Sequence, residues 1–68
     1  MKCLVVIEPA GRNWSGWVPD HPGCVATGAT PAETRDRLRD AVKMHVAGLR
    51  SDGDPVPHPT TVVEHVEV

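Results

Sequence analysis

The sequence predicts an α+β domain with the element order β-β-β-α-β, and three observations carry that prediction. Two strand-like runs, 2–8 and 14–18, flank the turn-forming Pro9-Ala10-Gly11-Arg12-Asn13. One long stretch with helical periodicity opens at Thr30-Pro31-Ala32-Glu33. A half-apolar run, 61–68, follows a proline-rich connection. The first three strands would form an antiparallel meander, and the helix would return the chain so that the fourth lies parallel to the first.

Residues 2–8 are rich in Val and Ile and end before Pro9. Period-two counting puts Cys3, Val5 and Ile7 on one face and Leu4, Val6 and Glu8 on the other, so the strand is apolar on both sides. Such a strand is normally covered on both faces. In the returning strand Trp14 and Trp17 fall on opposite faces. One of them is expected in the core and the other is the natural anchor for a partner, because Trp is enriched at interface hot spots.

Val18-Pro19-Asp20-His21-Pro22-Gly23-Cys24 is a stiff turn. Its two prolines fix φ and remove two backbone donors, so neither helix nor ladder can run through it. Asp20 can fold its carboxylate onto nearby backbone, and Gly23 can adopt a positive φ. Residues 24–27 make a short third strand closed by Gly28.

Thr30 is placed as an N-cap, Pro31 at the first helical position and Glu33 as the partner in a capping box. The helix should run to about Arg50, with Leu38, Ala41, Val42, His45, Val46 and Leu49 on its apolar face. Glu33 and Arg37 are spaced for an i,i+4 ion pair. Asp52-Gly53 supplies the stop. Residues 54–59, Asp-Pro-Val-Pro-His-Pro, read as a stiff extended return path. One helix can cover only one face of the resulting sheet, so the other face is expected to meet a second copy or a different protein.

Size and charge narrow the function classes. A chain of 68 residues makes one domain, 1–68, with one small core. A domain of this size buries only roughly 60% of its unfolded surface and gains from a partner. A net charge of −2 argues against nonspecific binding to phosphate backbones. The two cysteines suggest no disulfide framework, and no apolar run approaches a membrane span, so a cytoplasmic location is expected.

Several constellations invite chemistry. His21-x-x-Cys24 has half the spacing of a zinc site, with His45, His58 or His65 as further ligands. Real sites show paired motifs, and the plainer expectation is a buried Cys24 beside an exposed His21. A nucleophilic Cys24 would need an oriented base, and no residue is placed to orient His21. Glu8, Asp20, Glu33 and Glu64 could be imagined as a two-metal nuclease set, although Glu33 is already assigned to the cap. Arg35, Arg37, Arg39 and Lys43 form a basic cluster broken by Asp36 and Asp40, which reads as a solvated face or as contact with an acidic partner or RNA.

Taken together, the segments resemble the HicB-like antitoxin family. The resemblance rests on Met1-Lys2-Cys3-Leu4-Val5-Val6-Ile7-Glu8, on Trp14-Ser15-Gly16-Trp17-Val18-Pro19, and on the signature Asp20-His21-Pro22-Gly23-Cys24 with Val25-Ala26-Thr27-Gly28. The helix 30–50 and its exit 52–57 fit as well. His21 stands where relatives often carry a large apolar residue. The resemblance implies a truncated ribonuclease-H-like fold, sheet order 3-2-1-4, with the helix on one face. It further implies a non-enzymatic type II antitoxin that binds a HicA-type mRNA-cleaving toxin and covers its catalytic histidine. Many relatives add a DNA-binding domain; the sequence stops at Val68, and none is expected in this chain. No cofactor or metal is expected, and a homo-oligomer, dimer or tetramer, is. Candidate partner-binding residues are Trp14, Trp17, Asp20 and His21. The alternatives are a divergent metal-dependent ribonuclease-H-like nuclease using Glu8, Asp20 and Glu64, and a solitary oligomeric relative without a toxin.

Overall fold

In a computed structural model describing residues 1–68, the chain forms β1 (Val6–Ala10), β2 (Asn13–Trp17), β3 (Val25–Gly28) and α1 (Pro31–Ser51). The strands make one antiparallel sheet in the order β1-β2-β3, with α1 across one face. The α+β class and the meander are therefore as the sequence indicates.

Register follows from turn chemistry. Ala10 pairs with Asn13, leaving Gly11 and Arg12 as a two-residue hairpin loop with Gly11 at φ +64 in its first position. At the other end Val18 N–H donates to Cys24 O at 3.1 Å. Antiparallel pairs alternate between bonded and unbonded, so Gly16–Ala26 and Trp14–Gly28 are bonded pairs, while Ser15–Thr27 and Trp17–Val25 are not. The same alternation turns the amides of Trp17, Ser15 and Asn13 toward β1. Ile7 and Pro9 then face the outer edge, where the missing proline N–H costs no ladder bond. This is why β1 runs through Pro9 instead of ending before it.

Beyond one-residue shifts of β2 and β3, two differences from expectation are larger. The first strand begins at Val6 and not at residue 2, because β2 ends at Trp17, opposite Val6, and leaves residues 1–5 without a neighbour on that side. The fourth strand does not form: residues 61–68 join no ladder and are all exposed. Sheet order 3-2-1-4 is thus present only in its first three members. The radius of gyration, 13.3 Å, exceeds the about 11 Å expected for a compact chain of this length.

The helix is defined by its ends. Thr30 Oγ1 accepts from Glu33 N–H at 3.1 Å. The Glu33 carboxylate pairs with Arg37 at 2.6 Å, so the capping box is realised on its Thr30 side alone. At the C-terminus Gly53 takes φ +75; Gly53 N–H donates to Arg50 O and Asp54 N–H to Leu49 O, the Schellman arrangement.

The core sits between α1 and the helix-side residues of the sheet. Val18, Cys24 and Leu38 form its buried cluster, with Cys3, Val5, Ile7, Ala26, Ala41 and Val42 packed around them. Thr34 marks the closest approach of helix to sheet. Its hydroxyl donates to Thr30 O at 2.9 Å and lies 3.5 Å from Trp14 O. A β-carbon on Gly16 would fall 2.6 Å from Leu38 Cδ1, and one on Gly28 would fall 2.9 Å from the Thr34 backbone nitrogen. Two glycines on one sheet face are what let the helix approach this closely.

Candidate protein-binding surface

The opposite face of the sheet is uncovered. By alternation it carries Leu4, Val6 and Glu8 from the first segment, Ser15 and Trp17 from β2, and Val25 and Thr27 from β3. Val6, Trp17 and Val25 are direct cross-strand neighbours, so they form one apolar row across the sheet. Trp17 is 38% exposed and Val25 68%. Trp14 lies half-buried on the helix side. The two tryptophans thus lie on opposite faces, as period-two counting expects, with Trp17 on the outside and Trp14 not in the buried cluster.

Three backbone hydrogen bonds close the turn 18–24 on itself. Beyond the Val18–Cys24 bond, His21 N–H donates to Val18 O and Cys24 N–H to His21 O. Gly23 takes φ +92. This geometry drives the His21 ring inward until it is fully buried, edge to face with His45 at 5.5 Å between centroids. The expectation of an exposed His21 is corrected: the ring is buried within the fold. Neither ring nitrogen has a hydrogen-bond partner. Its burial depends on His45, 24 positions on, which local pattern cannot show.

Asp20 does not bond its own turn. Its Oδ1 accepts from the backbone N–H and hydroxyl of both Thr60 and Thr61, at 2.8–3.2 Å. The Thr61 hydroxyl foremost, then the other three donors, holds the carboxyl below its ordinary pKa, although partial burial pushes the other way. A depressed carboxylate contributes stability above its unfolded pKa, near 3.9, and loses it as pH falls through the lower folded value. At neutral pH the connection 54–59 is thus tied down at its far end.

The remaining constellations do not assemble. Glu33 is engaged with Arg37, Asp20 with the two threonines, and Glu64 lies in the unpaired segment. No three His, Cys, Asp or Glu residues come together as a metal site. Cys24 is buried, and burial first, then nearby Cys3, pushes its thiol pKa up, the reverse of an activated nucleophile. Titration of the native protein with an aromatic disulfide reagent should accordingly show Cys3 reacting first and Cys24 only on unfolding. Rapid modification of both would contradict the buried placement. In the basic cluster Arg35 and Arg39 share Asp36, at 3.6 and 3.5 Å. Arg37 reaches Thr27 O at 2.7 Å, and Lys43 has no carboxylate partner.

The sequence pattern of the HicB-like antitoxin of bacterial toxin-antitoxin systems matches residues 3–68. The chain belongs to the HicB-like antitoxin family. Among curated proteins it is similar to an "uncharacterized 14.9 kDa protein in rep-hol intergenic region" of Haemophilus phage HP1 (strain HP1c1), at 26% identity over 62 residues. That match takes in 91% of this chain but 47% of the phage protein, so the chain spans about half the length of this relative. No solved structure gives a significant match. Among the described residues no helix is long and apolar enough to cross a membrane.

Proposed function

We propose that this HicB-like chain is a cytoplasmic antitoxin that binds a HicA-type mRNA-cleaving toxin and occludes its catalytic histidine, acting as a homo-oligomer. The supporting observation is the Val6–Trp17–Val25 row on a sheet face that the single helix leaves open. A rigid aromatic flanked by β-branched residues on a flat sheet is the chemistry of a protein-docking centre. Inhibition by such a surface needs buried area and no catalytic group of its own. On this reading Trp17 is the anchor, while Trp14, Asp20 and His21 hold the strand and turn that present it. The same reading keeps 3-2-1-4, the truncated ribonuclease-H-like order, for the completed sheet, with a fourth strand on the outer edge of β1.

The test is co-expression with a HicA-type toxin, read by pull-down and by rescue of growth. Trp17→Asp should weaken capture by more than about tenfold and abolish rescue while the far-UV spectrum is unchanged. Undiminished rescue by Trp17→Asp would move the contact elsewhere. A purified protein that cleaves RNA with magnesium, and loses that activity on Glu8→Gln, would overturn the antitoxin reading.

A further inference from the structure

Residues 62–68, Val-Val-Glu-His-Val-Glu-Val, have the composition of a strand but have no strand beside them. Val62 and Val66 are 75% and 82% exposed. The path leading to them explains this. Residues 56–59 pass Met1, Lys2 and Arg50, and Asp20 then pins Thr60 and Thr61 at the connection beyond β2. To lie along its own β1 the segment would have to double back across the end of the sheet. Nothing between Thr61 and Val68 is a Gly, Pro, Asn or Asp that could make that turn.

The surface such a segment fits is also on the chain. The outer edge of β1 is unpaired, and residues 1–5 ahead of it have no ladder on either side. Between the segment 1–5 that leads into this edge and α1 runs a groove lined by Cys3, Val5, Val42 and Val46. Its rim is cationic, with Arg35, Arg39, Lys43 and Arg50. The segment brings Glu64 and Glu67 between its valines. An apolar floor with a positive rim matches an apolar strand with negative charges.

We propose that residues 62–68 add as a strand to the β1 edge of a second copy of this chain, and that the exchange is reciprocal. The occupant of each groove is the other copy's segment, with the Asp20–threonine bonds setting its direction of departure. Strand addition satisfies the outward amides of Val5 and Ile7 and covers the valines of both partners. This rests on the reading that the chain self-associates, and it specifies how.

Light scattering coupled to size exclusion on the full chain, without toxin, tests it. The wild type should be a dimer. Val62→Asp with Val66→Asp should weaken the dimer by more than about tenfold while the near-UV tryptophan signal of the folded domain is kept, because both sites are solvent-exposed in the single chain. Arg39→Glu with Lys43→Glu should do the same from the groove side. Mixing the two double variants should restore a heterodimer, since one intact segment then meets one intact groove. A dimer that persists in the segment variant would overturn the exchange while leaving self-association standing. A wild type monomeric at every concentration would overturn both, whether the segment is free or folds back on its own β1.

Discussion

Leu38→Ala should lower stability by about 3 kcal/mol, the middle of the range for emptying a leucine site in a core that can only partly collapse. Leu38 is fully buried and is the helix's member of the Val18–Cys24–Leu38 cluster. It also lies over Gly16, so no side chain on that strand can move in to fill the space. A domain of this length has a total stability of roughly 3–10 kcal/mol, so the change removes a large part of it. Thermal unfolding should show a midpoint lower by more than about 12 °C. Met44→Ala, on the same helix but 78% exposed, should shift it little. Equal shifts for both would mean that Leu38 does not hold helix to sheet.

Gly28→Ala should cost about 1–3 kcal/mol for the opposite reason, overpacking. The added methyl meets Thr34 Oγ1 at 2.7 Å and the Thr34 backbone nitrogen at 2.9 Å. The hydroxyl could rotate away, but the backbone could move only by lifting the first turn of α1 from β3. Gly48→Ala is the matched control: its added methyl meets nothing within 4 Å, and an exposed mid-helix glycine is stabilised by alanine by roughly 0.5–1 kcal/mol. Urea unfolding of both variants should therefore move in opposite directions. Movement of Gly28→Ala toward higher stability would refute the close helix–sheet contact.

What was legible in the sequence is what depends on near neighbours. The cap at Thr30, the stop at Gly53 and the division of Trp14 from Trp17 each follow from local backbone chemistry or from period-two geometry, and each is present. The start of β1 was not legible, because it is set by where β2 ends. Burial of His21 was hidden for the same reason, since it requires His45 from the helix. Thr34 was missed as a contact residue. The signal was there: Gly16 and Gly28 are the residues of β2 and β3 that have room for a branched polar side chain from above. The segment 61–68 carries strand composition, but composition does not say which edge, or whose, the strand will use. Its anchor was equally hidden, since Asp20 and Thr61 are 41 positions apart.

The contact between Arg37 and Thr27 bears on what kind of assembly this sheet can enter. Ser15–Thr27 is an unbonded pair, so the Thr27 carbonyl points away from β2, and Arg37 Nη1 occupies it at 2.7 Å. An open sheet with two available edges can propagate head to tail and grow into fibres. Here a guanidinium takes one acceptor on the β3 rim from within, whereas the β1 rim is open. The two rims are therefore unequal templates: a strand arriving at β3 must displace an internal contact, and one arriving at β1 need not.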